Sequence, residues 1–381
     1  MPSESDRNTG QRGTVIPKLI ILLISIPVFI TLSELILTLI PVDTFFENRF
    51  FVLNRALDYP EIFKKDEHLF WRLRPSQTIA SRFFEGNEYK INSDGLRGEE
   101  IPSASDKIRI VALGNSCTFG WRMKDEDTYL NRLEKLIDND STLPEVETIN
   151  AAIPGYSSFQ GRRFYVTDIC KLNPDIVIIM FGWNDQWAAA DEIPDKNQEF
   201  PPQWVLDIQD IISRLEIYRL MRKLILSATE ESLDDIFNKE KPVYRVGIED
   251  FYNNLNVIVS QAKEEGVETI LLTSPIPSLE KYYPPGIKSN MHSFHNFYNL
   301  QTRNLAYNTK SILIDAAREF DKYDSLFDDA AKDPIHFNAR GHRVIAEAIY
   351  GYFKKNEGSL SKRTSSPPPD RLSRKLGLDK R

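Results

Sequence analysis

A serine set between glycines, an aspartate three places ahead of a histidine, and two further glycine-marked turns are the residues whose types and spacing could do chemistry here. Ser116 lies in Gly114-Asn115-Ser116-Cys117-Thr118-Phe119-Gly120, directly after the apolar run 108–113. Near the other end of the chain stands Asp333-Pro334-Ile335-His336. An aspartate so placed on an irregular loop can turn back to hold the imidazole, leaving the other ring nitrogen to take a serine proton. Between them come Pro154-Gly155-Tyr156 and Phe181-Gly182-Trp183-Asn184-Asp185. A glycine lets a backbone N–H approach a reacting carbonyl, and an asparagine carboxamide can donate to a developing oxyanion. Taken singly, each piece has a plainer reading: an ordinary turn for the glycines, and chance for the DxxH. A glycine-flanked serine also resembles a phosphate loop, but neither GxGxxG nor GxxxxGK[ST] is present. His342, at the start of the next helical stretch, reads as a packing or capping residue.

The elements that must position these residues follow a regular alternation. After Lys107 come the strand-like runs IRIVAL (108–113), VETIN (146–150), DIVIIMF (175–181), TILLTSP (269–275) and SILIDA (311–316). Helical patterns fall at 129–137, 159–171, 248–265 and 341–354. Strands apolar on both faces, alternating with helices, predict an α/β fold: a doubly wound, flavodoxin-like parallel sheet of about five strands covered on both sides. In such a sheet the carboxyl ends of the strands open onto the ligand crevice, so Ser116, Gly155 and Asn184 are expected at one edge. Cys117 is expected at that edge and Cys170 at the opposite one, too far apart for a disulfide.

In order and spacing, the four pieces resemble the serine, glycine, GxND and DxxH blocks of the SGNH (GDSL-like) hydrolase family. The resemblance spans about 250 residues, from Lys107 to about Lys355, and includes the SPIP segment at 274–277. The stretch NSDGLRG (92–98) is similar to one in membrane-anchored bacterial members. The resemblance implies a triad of Ser116, His336 and Asp333, with an oxyanion hole from the backbone N–H groups of Ser116 and Gly155 and the side chain of Asn184. One departure is visible: the usual GDS is here GNS, with Asn115 in place of aspartate. Three functions are then weighed. A serine esterase acting on carboxylic esters, O-acetyl groups among them, is favoured. An O-acyltransferase on envelope or extracellular polysaccharide would use the same triad. A non-catalytic carbohydrate-binding or scaffold protein is opposed by the intact Ser116, Asn184, Asp333 and His336. Trp121, Trp183, Trp187 and Trp204 follow the catalytic-edge segments and could stack on sugar rings, though packing is the plainer role.

Outside this body, 19–42 is an apolar run broken by Pro27, Glu34 and Pro41. Its roughly 24 residues would reach about 36 Å as a helix, enough to cross a bilayer with some tilt. That length, with no A-x-A-like site after it, favours an uncleaved transmembrane anchor over a signal peptide. Arg7, Arg12 and Lys18 would hold residues 1–18 in the cytoplasm and put the catalytic body outside a cell membrane it crosses once. Residues 43–106 read as a stalk or docking extension and 107–356 as the hydrolase domain. Within it, 191–247 reads equally as a cap or as extra packed helix, with one long amphipathic helix over 205–227. Residues 357–381, with three consecutive prolines at 367–369, read as a disordered basic tail. The net charge of −7 argues against nucleic acid as a partner. Two cysteines and five scattered histidines without HExxH give no metal site, and no cofactor is expected. The substrate partner is an ester or an acylated carbohydrate; protein partners stay open. A mean hydropathy of −0.37 excludes a polytopic membrane protein.

Overall fold

The computed structural model describes residues 7–39, 59–80, 87–189, 192–229, 243–277, 289–330 and 333–356. Helix α1 (Arg7–Leu39) comes first and exposes apolar side chains such as Ile24, Phe29 and Leu32. Among the described residues no helix is long and apolar enough to cross a membrane, so the expected transmembrane helix is not supported. The last residues of that run, 40–42, and the expected disordered tail from 357 lie outside the described residues.

Two short antiparallel hairpins follow, β1 (Phe63–Asp66) with β2 (Phe70–Leu73) and β3 (Gln77–Ala80) with β4 (Glu88–Ile91). Their apolar residues, including Phe63, Trp71, Ile79 and Tyr89, share one buried cluster with Val111 and Leu113 of the central sheet. The described part of the stretch expected as a stalk or docking extension thus packs into that cluster.

The sheet itself contains β5 (Ile108–Gly114), β6 (Val146–Asn150), β7 (Ile176–Met180), β8 (Glu268–Leu272) and β9 (Ile312–Ile314), all parallel, in the spatial order β6-β5-β7-β8-β9. This is the flavodoxin-like order, whose switch point lies between β5 and β7. Side chains alternate across it. Val111, Leu113, Val177 and Ile179 enter one core, while Ile110, Ala112, Ile176 and Ile178 enter the other.

Between the strands run α2 (Ser116–Phe119), α3 (Tyr129–Asp138), α4 (Ser158–Thr167), α5 (Gln203–Ile212), α6 (Glu216–Thr229), α7 (Ile248–Glu264) and α8 (Ser289–Thr309), and after β9 come α9 (Ala316–Phe320) and α10 (Ala339–Lys355). Helices α4, α7 and α8 cover the face that also carries the hairpins, and α3 and α10 cover the other. Their starts are written locally. Thr128 caps α3 by accepting from the N–H of Asn131, Asn338 caps α10, and Ser157 forms a reciprocal capping box with Gln160 at α4. Gly161 lets α4 lie close on the sheet, since a Cβ there would come within 2.2 Å of the Phe181 ring.

Two expectations need correction. The single helix over 205–227 is two helices, α5 and α6, separated where Ser213 turns its hydroxyl onto the carbonyl of Asp210. The helical stretch over 159–171 ends at Thr167 and continues as a 3-10 turn from Ile169 to Leu172. Helix α8 has no counterpart in the sequence reading.

Candidate active site

Ser116 opens α2 at the carboxyl end of β5. As the first residue of a helix, its N–H lies outside the ladder of helical hydrogen bonds. Asn115 caps that helix, its Oδ1 accepting from the N–H of Cys117 at 3.0 Å. The bond that the missing aspartate would make is thus kept by the amide oxygen. The cost of the exchange lies in Asn115 Nδ2, which is buried without a partner among the described residues.

The loop before α10 brings His336 to the serine. Ser116 Oγ lies 2.8 Å from His336 Nε2, and His336 Nδ1 lies 2.8 Å from Asp333 Oδ2. Asp333 Oδ1 accepts from the backbone N–H groups of Ile335 and His336, each at 3.1 Å, which folds the DxxH segment back on itself. Burial pushes the Asp333 carboxyl up, but the His336 hydrogen bond and charge and these two N–H groups outweigh it and hold the carboxyl at about 2. Trp121 stacks on the imidazole with ring centroids 5.4 Å apart.

The three carbonyls of Pro154, Gly155 and Tyr156 are each held by a different side chain. Trp71 Nε1 donates to Pro154 at 3.2 Å, Arg245 Nη1 to Gly155 at 2.9 Å, and Asn184 Nδ2 to Tyr156 at 3.1 Å. Gly155 has φ near 85°, a left-handed conformation that suits glycine and sets the direction of its N–H. Arg245 is itself buried against Asp195, donating to both carboxylate oxygens at 3.0 and 2.8 Å, with Ser157 Oγ adding a third donor at 2.6 Å. Asp185 joins the second and third turns. Its Oδ1 accepts from the N–H of Ser158 at 2.8 Å and its Oδ2 from that of Gly182 at 3.0 Å. Full burial raises its pKa to about 6 despite those donors.

Two arginines steady the serine side. Arg97, from the NSDGLRG turn, is buried and donates to the carbonyls of Phe119, Gly120 and Met123 and to Asp125. Arg122 Nη1 lies 2.8 Å from Asp333 Oδ2, the oxygen that also meets His336. Asp185, Arg97, Arg122, Arg245 and Trp71 support the site without being singled out by the sequence. Only Arg97 and Asp185 carried a signal, since both sit inside motifs singled out for other residues.

The remaining candidates fall elsewhere. His342 is buried, held neutral by that burial, and accepts from the N–H of Tyr129 through Nδ1 at 3.1 Å, which places it at the start of α3. Trp183 is buried, stacked on His295, and donates to the carbonyl of Pro275. Trp204 lies on α5 and is largely exposed. Cys117 and Cys170 are both free and buried, and burial pushes the Cys117 thiol far up. Among the described residues no cluster of His, Cys, Asp and Glu could hold a metal ion.

Residues 112–344 match the model of the GDSL-like Lipase/Acylhydrolase family. Three solved structures are similar. A lipase/acylhydrolase from Enterococcus faecalis shares 18% identity at a TM-score of 0.42, covering 65% of this chain and 96% of its own. An alpha/beta hydrolase enzyme from the metagenome of Lake Arreo shares 20% identity at 0.42, over 64% and 94%. An acetylxylan esterase from Geobacillus stearothermophilus shares 18% at 0.41, over 64% and 92%. No curated protein matches the chain in sequence.

Proposed function

We propose, from the premise that the chain belongs to the GDSL-like lipase/acylhydrolase family, that Ser116, His336 and Asp333 are its catalytic triad. The chain is a hydrolase acting on esters. The observation that carries the triad is the unbroken line of two 2.8 Å contacts from Ser116 through His336 to Asp333.

His336 Nε2 takes the Ser116 proton as Oγ bonds to the ester carbonyl carbon, and the carbonyl electron pair moves onto oxygen. The N–H groups of Ser116 and Gly155 and the carboxamide of Asn184 receive that oxyanion. Collapse breaks the carbon–alkoxy bond, the leaving alcohol takes the proton from His336, and an acyl-enzyme remains. Water, deprotonated by His336, then releases the acid and restores Ser116. Asp333, ionised at neutral pH, keeps Nδ1 protonated and stabilises the imidazolium between these steps.

The substrate class is a carboxylic ester, with O-acetyl groups on carbohydrate as the specific case. Trp121, half buried and stacked on the base, is the aromatic side chain we assign to a sugar ring in that case. The run 19–42 is proposed as the membrane anchor on its length and composition, with the catalytic body outside the cytoplasm. The deciding experiment treats the full chain in detergent with a fluorophosphonate probe and with p-nitrophenyl acetate. Wild-type protein should label and turn over, and Ser116→Ala should do neither. Labelling or turnover retained in Ser116→Ala would overturn the triad. Acetate release measured with and without an acceptor sugar separates hydrolysis from transfer.

A further inference from the structure

Helices α5 and α6 each carry an exposed apolar face. In α5 Leu206 and Asp210 turn inward, and the polar side chains reach the hairpins. Asp210 pairs with Arg74, Asp207 pairs with Lys64, and Gln203 donates to the carbonyl of Lys65 on the first hairpin. The opposite face carries Trp204, Ile208 and Ile211, and they are exposed, Ile211 at 69% and Trp204 at 66%. Helix α6 repeats the arrangement: Lys223 is buried, whereas Met221, Leu224 and Ile225 are exposed.

The two faces are joined to α1 by a charge. Glu34, the one acidic residue within the apolar run, accepts from the N–H groups of Glu216 and Ile217 at 2.7 and 3.1 Å and so caps α6. Around it, α1 exposes Ile24, Phe29 and Leu32. An apolar surface thus continues from α1 onto α6 and α5. A water-facing surface of that continuity is unfavourable, and lipid is the medium that suits it.

We infer that the outer faces of α5 and α6 lie on a lipid bilayer, continuous with α1. This rests on the anchor reading of 19–42 for the presence of a membrane, but the face is tested separately from the anchor. Single cysteines carrying the environment-sensitive fluorophore NBD are placed in the full chain at Ile211→Cys, Met221→Cys, Phe29→Cys and Tyr307→Cys. Cys117 and Cys170 are buried and stay in place. Tyr307 lies on α8 and is 85% exposed. The proteins are reconstituted in phosphatidylcholine–phosphatidylglycerol vesicles and quenched by doxyl-labelled lipid or by aqueous iodide.

Doxyl lipid should quench the probes at 211 and 221 at least threefold more than the probe at 307, with iodide showing the reverse order. If 211 and 221 behave like 307 while 29 is quenched, the inference is overturned and the anchor stands. If 211 and 221 are quenched and 29 is not, the face stands and the anchor reading fails. Probes at 211 and 221 shielded from both quenchers would mean a second copy or another protein covers them, which also overturns the inference.

Discussion

Arg245 offers the sharpest test of how the site is held, because it joins a buried ion pair to the loop of the proposed oxyanion hole. Its guanidinium makes two bonds to Asp195, one to Gln160 Oε1 and one to the carbonyl of Gly155, all at 3.0 Å or less, and the side chains of the pair are 2% and 0% exposed. Arg245→Met leaves the Asp195 carboxylate buried with Ser157 Oγ as its remaining side-chain donor. Breaking a buried pair in this way costs about 3–5 kcal/mol, against a total stability of about 5–15 kcal/mol. Adding Asp195→Leu removes the stranded charge and should return stability to within about 1–2 kcal/mol of wild type. The double variant still lacks the donor to Gly155, so its kcat should stay at least about tenfold down, within the range that small misplacements of a reacting geometry produce. Urea unfolding followed by tryptophan fluorescence reads the first effect, and p-nitrophenyl acetate turnover reads the second. A single variant within about 1 kcal/mol of wild type, or a double variant with restored kcat, would refute the reasoning.

Other substitutions probe the remaining parts. Asn184→Ala removes one proposed oxyanion donor and a strut of the Tyr156 turn, and kcat should fall about a hundredfold or more in steady-state assays. Asp185 has a folded-state pKa of about 6, above its unfolded value, so the folded chain holds that proton more tightly. The stability this proton contributes, up to about 3 kcal/mol, is present below about pH 4 and lost as pH rises through about 6. Asp185→Asn cannot titrate, so the difference in urea-unfolding stability between wild type and variant should shift in favour of wild type on going from pH 7 to pH 4. Gly161→Ala drives a methyl into Phe181 and should lower stability by about 1–3 kcal/mol, read by the same unfolding assay.

The parts of the site legible in the sequence are those whose geometry is local. Asp333 and His336 are three residues apart and bond within one loop, and Asn115, Ser116 and Cys117 make a helix start that a strand-turn pattern announces. Asn184 was legible because its turn repeats the strand-glycine pattern of the others. Trp71 and Arg245 were not, since the carbonyls they hold lie 83 and 90 residues away and no local pattern ties a tryptophan or an arginine to a distant glycine turn. Helices α5 and α6 look continuous in sequence because apolar residues recur at helical spacing through both. The break comes from Ser213 and from Glu34, which reaches the start of α6 from 182 residues away. Helix α8 is not legible in the sequence because its residues, SNMHSFHNFYNLQTRNLAYNT, mix polar and aromatic side chains without a clean apolar stripe.

The three pinned carbonyls at 154–156 bear on how portable this active site is. The family match spans 112–344 and contains the proposed triad, yet Trp71 and Arg97 lie ahead of it. A protein that inherited only the matched block would carry every proposed reacting group and lack two of the struts that aim them. On the proposed site, the segment before β5 is scaffolding for catalysis. Changes there would surface as altered acyl transfer at a distance, with no substitution in any motif by which the family is recognised.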